Sequence, residues 1–118
     1  MASILVHITH GPEHPTRVAL GLLVARTALE EGHSVSVFLA GDAVALARPQ
    51  IREALTGIGT GSAKEHFDAL ISGGAKFYLS GMSSKARGIT PDLIEGAEMA
   101  MPNVLVQLSL DHDRMFVY

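Results

Sequence analysis

Residues 3–39 read SILVHITHGPEHPTRVALGLLVARTALEEGHSVSVFL, and the fold is decided by this stretch. Ser3 to Thr9 is a short apolar run with Ile4, Leu5, Val6 and Ile8, the composition of a strand buried on both faces of a parallel sheet. His10-Gly11-Pro12-Glu13-His14-Pro15 is turn-rich. From Pro15 to Glu31 the spacing becomes helical: Val18, Leu22, Ala25 and Leu29 fall on one stripe, with Arg17 and Glu30 left for solvent. Pro15 suits the first helical position and Gly32 the stop. Val35, Val37 and Leu39 then alternate with Ser34, Ser36 and Phe38, predicting a second strand that ends at Ala40-Gly41-Asp42. Strand, long helix, strand is a βαβ unit, which requires parallel pairing and a right-handed crossover.

Beyond this unit, Ala43 to Ala47 and Ile51 to Leu55 read as short helical pieces split by Pro49, and Gly57-Ile58-Gly59-Thr60-Gly61 as a flexible loop. Ser62 and Glu65 have the spacing of a capping box. They predict a helix that buries Phe67, Leu70 and Ile71 and stops at Gly73-Gly74. A third strand is expected over Ala75 to Leu79, then a loop, Ser80-Gly81-Met82-Ser83-Ser84. Thr90-Pro91-Asp92 predicts another helix, with Leu93, Ile94, Ala97 and Met101 on its apolar side. Val104 to Leu108 reads as a fourth strand, Asp111-His112-Asp113 as a turn and Met115 to Tyr118 as an edge strand. The alternation gives an α/β fold: a single three-layer domain over residues 1–118 with a mostly parallel sheet.

Composition narrows the function. The 118 residues are 47% hydrophobic and carry nine Lys+Arg against twelve Asp+Glu, a net charge of -3 with no basic run, which disfavours nucleic acid as a partner. The absence of cysteine excludes disulfides, thiolate metal sites and any mechanism that carries substrate on a protein sulfur. The start of the chain lacks a cationic leader region and no uncharged apolar stretch reaches ~20 residues, so a cytoplasmic protein without a membrane segment is expected.

In open parallel sheets ligands bind beyond the carboxyl ends of the strands. That rule nominates Thr9, His10 and Gly11, Gly41 and Asp42, Ser80, Gly81 and Met82, and Ser109 through Asp111. Ser80, His10 and Asp42 have the residue types of a nucleophilic triad. The Gly-x-Ser-x-Gly elbow is missing, however, and a serine bonded to its own loop is the plainer reading. His7, His10 and His14 do not suggest a shared metal, since His7 lies inside the strand and His10 just beyond it on the opposite face. His7 reads as a core or subunit-contact histidine with a satisfied ring nitrogen, and His33 and His66 as surface positions. Gly57, Gly59 and Gly61 lack the preceding strand of a dinucleotide fingerprint. Backbone amides of Gly81 to Ser84, with Lys85 and Arg87 nearby, are candidates for a small anion. Asp42 reads as the N-cap of the helical piece after it, and Met82, Met99, Met101 and Met115 as packing or interface residues. The apolar tail Met115 to Tyr118 needs a neighbouring subunit to cover it, so a homo-oligomer is expected. No cofactor or metal is expected.

Three stretches in order carry a resemblance: Ile-Thr-His-Gly-Pro-Glu-His-Pro (8–15), Val-Phe-Leu-Ala-Gly-Asp (37–42) and Lys-Phe-Tyr-Leu-Ser-Gly-Met-Ser-Ser-Lys-Ala-Arg-Gly-Ile (76–89). Together they resemble the DsrE/DsrF-like proteins. The resemblance implies a flavodoxin-like topology, assembly as trimers or hexamers, and a setting in sulfur relay with a relay protein as partner. It also implies that the loop after the third strand holds a cysteine that receives sulfur as a persulfide. Ser80 stands at that position, and a hydroxyl cannot carry a persulfide. The expected function is therefore an oligomeric small-ligand-binding or partner-binding subunit linked to sulfur metabolism. Two alternatives remain open: a cysteine-to-serine form of a sulfurtransferase, and an enzyme that uses Ser80 and His10.

Overall fold

The computed structural model describes all 118 residues, Met1 to Tyr118. The βαβ unit forms as the sequence predicts: β1 (Ser3–Ile8), α1 (Pro15–Glu30) and β2 (Ser34–Leu39), with β1 and β2 parallel from Ser3 opposite Ser34 to Ile8 opposite Leu39. Ile4, Val6, Ile8, Val35, Val37 and Leu39 point to one face, where Val18, Leu22 and Ala25 of α1 pack on them. The chain continues through a 3-10 segment, Gly41–Ala47, and α2 (Pro49–Ala54). The hairpin of β3 (Thr56–Gly57) and β4 (Gly61–Ser62) follows, then α3 (Ala63–Ser72). The Ser62 hydroxyl caps α3 by accepting from the Glu65 N–H at 3.3 Å, as the capping-box spacing requires. Then come β5 (Lys76–Ser80), α4 (Gly81–Arg87), β6 (Glu98–Ala100), α5 (Pro102–Asp111) and β7 (Arg114–Val117).

The main sheet has the order β6-β5-β2-β1-β7, with every pair parallel. One face holds the main core under α1 and α3, where the Phe67 and Phe77 rings meet at 4.7 Å. The other face is covered by α5 alone, through Val104, Leu105 and Leu108 on Leu5, Phe38 and Ala100. Three layers result. No helix is long and apolar enough to cross a membrane.

The second half departs from the sequence reading. Val104 to Leu108 is helical, because Pro102 starts a helix and Val104, Leu105 and Leu108 supply an i, i+1, i+4 inward stripe. The fourth strand of the main sheet in chain order is instead Glu98–Ala100, inside the helix expected from Thr90. Only a 3-10 turn, Pro91–Leu93, forms there, and Gly96 at φ +77° keeps the helix from continuing. Ser109 through Asp111 therefore close α5 and leave the carboxyl rim. Asp113 then binds the amino edge of the sheet, accepting from the Ser3 N–H at 2.8 Å and hydroxyl at 3.2 Å. Those bonds hold the Asp113 carboxyl below its ordinary range. Ser80-Gly81-Met82-Ser83-Ser84 is not a loop, since α4 starts at Gly81. The glycine segment expected to be flexible is the β3–β4 hairpin. It is tied down where the Thr16 hydroxyl accepts from the Ile58 N–H at 3.1 Å and His66 Nε2 meets the Thr60 carbonyl at 2.7 Å. His66 is thus buried rather than a surface residue, and His33 is half-buried, its Nδ1 accepting from the Ala2 N–H at 3.0 Å.

His7 sits on the α5 face of the sheet, edge-on to Phe38 at 5.5 Å, and its Nε2 is buried without a partner, contrary to the expected satisfied ring. Burial pushes its imidazole below the ordinary value. The folded chain therefore favours the neutral ring. As pH falls below about 6.5 the unfolded chain takes up this proton first, and stability is lost progressively until the folded ring titrates as well. Replacing His7→Leu is expected to flatten the acid side of the profile. Urea midpoints measured between about pH 7 and pH 5 should separate the two proteins increasingly on acidification; parallel curves would show that His7 does not titrate differently on folding.

Candidate functional site

The order of the strands fixes where the sheet opens. From β1 through β2 and β5 to β6 the chain steps always toward the same edge, and then returns across the sheet to β7. Right-handed crossovers put connections of opposite direction on opposite faces. The chain leaving β5 accordingly turns onto the main-core face, where Ile89 after α4 joins that core, while the chain leaving β6 enters α5 on the other face. Ser80 and Ala100, the last residues of β5 and β6, lie side by side in the ladder. Just beyond them the two chains separate, and a crevice opens.

An open cavity of about 580 Å³ occupies this crevice, lined by Gly81, Met82, Lys85, Ala86 and Met101. Gly81 permits its shape, since a Cβ there would lie 3.0 Å from Met101 Sδ. The walls are methylene, methyl and thioether groups, and Lys85 is the lone ionisable group among them. Lys85 faces solvent, so its ammonium retains its hydration until a ligand displaces it. The arrangement suits a polarisable apolar body with one negative charge.

The remaining residues nominated at the rim are drawn together, but into a brace. Gly11 lies so close to β2's exit that a Cβ on it would fall 2.1 Å from the Asp42 carbonyl oxygen, which leaves glycine as the residue that fits. The Gly41 N–H donates to the Ser83 hydroxyl at 2.9 Å, and the Ser83 N–H donates to Ser80 Oγ at 3.3 Å. Arg87 Nη2 reaches Asp42 Oδ1 at 3.1 Å while Nη1 donates to the Ser83 carbonyl at 3.0 Å. Asp42 therefore is not an N-cap: Ala40 holds that position, and the carboxylate pairs with Arg87. Thr9 Oγ1 donates to the Tyr118 carbonyl and also meets His10 Nδ1 at 3.3 Å. The His10 ring is edge-on to His14 at 5.7 Å, whereas His7 packs on Phe38, so the three histidines do not converge.

Ser80, His10 and Asp42 thus occupy neighbouring strand exits, yet no hydrogen bond joins any two of them. Ser80 Oγ is spent on capping α4 and Asp42 on Arg87. Of the nominated residues, Gly81 and Met82 line the cavity. Sequence reasoning reaches Lys85 for its charge alone and misses Ala86 and Met101 as lining residues. Met101 is hidden in the sequence because the strand before it is only three residues long and carries an exposed glutamate, Glu98.

Residues 2–118 match the DsrE/DsrF-like family. An uncharacterized protein of Methanopyrus kandleri, MK0008, is 32% identical over 119 residues, covering 98% of this chain and 93% of that protein. Among solved structures, the ychN protein of E. coli superposes with a TM-score of 0.81 at 23% identity over 100% of both chains. MTH1491 of Methanobacterium thermoautotrophicum, a protein of unknown function, gives 0.70 at 16% identity over 97% of each. The parallel sheet, whose order β6-β5-β2-β1-β7 keeps four strands in sequence and so departs from the expected flavodoxin-like order, superposes on these structures, and with a family match over residues 2–118 this chain belongs to the DsrE/DsrF-like family.

Proposed function

We propose that this protein is an oligomeric DsrE-like subunit that binds a small, polarisable monoanion in the crevice between β5 and β6, in a sulfur-relay setting, without carrying sulfur itself. The observation behind this reading is the coincidence of the topological crevice with a cavity whose lining is apolar apart from Lys85. The lack of any cysteine rules the chain out as a persulfide carrier in its own right. Ser80 acts as a cap under this reading rather than as a nucleophile, because its oxygen has no base in hydrogen-bond reach.

Benzenethiosulfonate, which has an aryl body, a terminal sulfur and one charge, is a suitable probe. In an NMR titration it is expected to shift the Met82 and Met101 methyl signals saturably, and Lys85→Glu should weaken binding about tenfold, ~1.4 kcal/mol. No saturable shift at those methyls overturns the reading. Ser80→Ala should lose about 0.5–2 kcal/mol of stability with its cap and leave this binding intact. Ser80→Cys distinguishes the cysteine-to-serine alternative: an intact-mass gain of one sulfur from a persulfide donor would favour a lost sulfurtransferase, and no gain would count against it.

Oligomerisation is the second half of the proposal. α5 and β7 present Val106, Leu110, Met115, Phe116 and Val117 to solvent, with Leu110 73% and Val117 59% exposed, and β7 has an open edge. A second copy covering β7 would bury these side chains and the unpartnered edge together. Light scattering at micromolar concentration is expected to give a trimer or hexamer that Val117→Lys dissociates; a monomeric mass for the unaltered chain would refute it.

A further inference from the structure

A second cavity lies away from the crevice, between α3 and the segment before β6, and it contains a prepared cation. Arg52 of α2 is held on one edge and one face. Its Nη1 donates to the Leu46 carbonyl at 2.9 Å and the Ala47 carbonyl at 2.8 Å, which close the 3-10 segment, and its guanidinium lies 4.3 Å from the centroid of the Phe67 ring. Both hydrogen bonds use Nη1, so the Nε and Nη2 hydrogens on the other edge remain available to an acceptor. Asp68, the nearest acid on α3, is engaged by Lys64.

The guanidinium borders a cavity of about 440 Å³ walled by Phe67, Ile71, Leu93 and Ile94. Partial burial pushes Arg52 below its ordinary value, opposed by the Asp68 and Glu53 charges, so the cation has given up part of its hydration without gaining a carboxylate partner. Structural duty alone would not require this. Capping the two carbonyls takes a single nitrogen, whereas the planar fork and its free edge match a carboxylate in two-point contact.

We propose that this cavity is a binding site for a small monocarboxylate with an apolar body, its carboxylate on the Nε and Nη2 edge of Arg52 and its hydrocarbon against Ile71, Leu93 and Ile94. Glu95, and more weakly Asp68 behind its ion pair with Lys64, oppose a second negative charge on the ligand at the rim, so dicarboxylates are disfavoured. The same rim acids would pair with an ammonium group, so a plain carboxylic acid and an apolar amino acid both satisfy the site's chemistry. The proposal does not depend on the β5–β6 crevice.

The test is an NMR titration of the unaltered protein with 4-methylpentanoate, with L-leucine, which adds only the α-ammonium, and with 4-methylpentanol, which lacks the carboxylate. Either anion or zwitterion should shift the Ile71, Leu93 and Ile94 methyls saturably, and the tighter of the two identifies the ligand class. Arg52→Lys keeps a charge and a donor for the two carbonyls but loses the fork, and is expected to weaken binding at least about tenfold. Glu95→Gln, at an exposed position, should tighten 4-methylpentanoate severalfold, which keeps the question open to refutation even if Arg52→Lys folds poorly. Absence of saturable shifts with both ligands, equal binding of the alcohol, or binding indifferent to both substitutions overturns the proposal. The methyls that respond also separate this site from the crevice, whose reporters are Met82 and Met101.

Discussion

A parallel strand pair cannot be closed by a tight turn. Each connection in this sheet must climb from the carboxyl end of one strand back to the amino end of the next, across one face, and with a fixed hand. Three successive connections stepping the same way put α1, α3 and the segment after α4, with Ile89 and Ile94, on the main-core side. The fourth reverses direction and has to cross on the other side, which places α5 there alone. The crevice is the outcome of that reversal. Its place follows from the topology alone, and the local sequence then determines its shape and chemistry: a glycine, thioethers, a methyl group and one lysine.

The parts of this architecture that are legible in the sequence are those where local signals and tertiary demands agree. In 3–39 an apolar strand, a helix bounded by Pro15 and Gly32 and an alternating strand each meet the expectation for their own position, and Ser62 with Glu65 announces α3 before any packing is known. Between Thr90 and Leu108 they disagree. β6 is three residues long with two of them exposed, so it lacks both the length and the apolarity of a central strand. Val104-Leu105-Val106 has strong strand propensity, yet it lies after Pro102 and over the single open face of the sheet, where only a helix fits. There tertiary placement overrides propensity. The misplaced strand carries the site with it, because the residues that complete the crevice come after β6 and not after the residues with strand propensity.

The rim also shows why residue types alone overstate the case for a triad. Ser80, His10 and Asp42 occupy neighbouring strand exits, as the parallel arrangement demands. Each side chain is nevertheless already engaged elsewhere: Ser80 caps α4, Asp42 is pinned by Arg87, and His10 is placed by Thr9 and His14. These bonds join the exits of β2 and β5 to each other, with Gly41 and Ser83 as the central link. A rim tied in this way holds the start of α4 still, and a fixed α4 gives Met82 and Lys85 a defined relation to Met101 across the crevice.

The asymmetry between the two faces bears on assembly. Several elements shield the main core, while one ten-residue helix shields the other face, running from the carboxyl edge at Met101 to the amino edge at Asp113. A helix lying obliquely over five strands leaves the corner at His7, Met115 and Val117 thinly covered. In that corner the His7 Nε2 is buried but unpaired, and β7 lies open at its edge. An unpaired buried nitrogen costs about 1–3 kcal/mol, and a partner subunit that brings a polar group to it would remove that cost while also covering the apolar edge. The same reversal of chain direction that opens the crevice at one edge of the sheet thus also strips cover from the other, so the crevice and the exposed apolar corner arise from a single topological step.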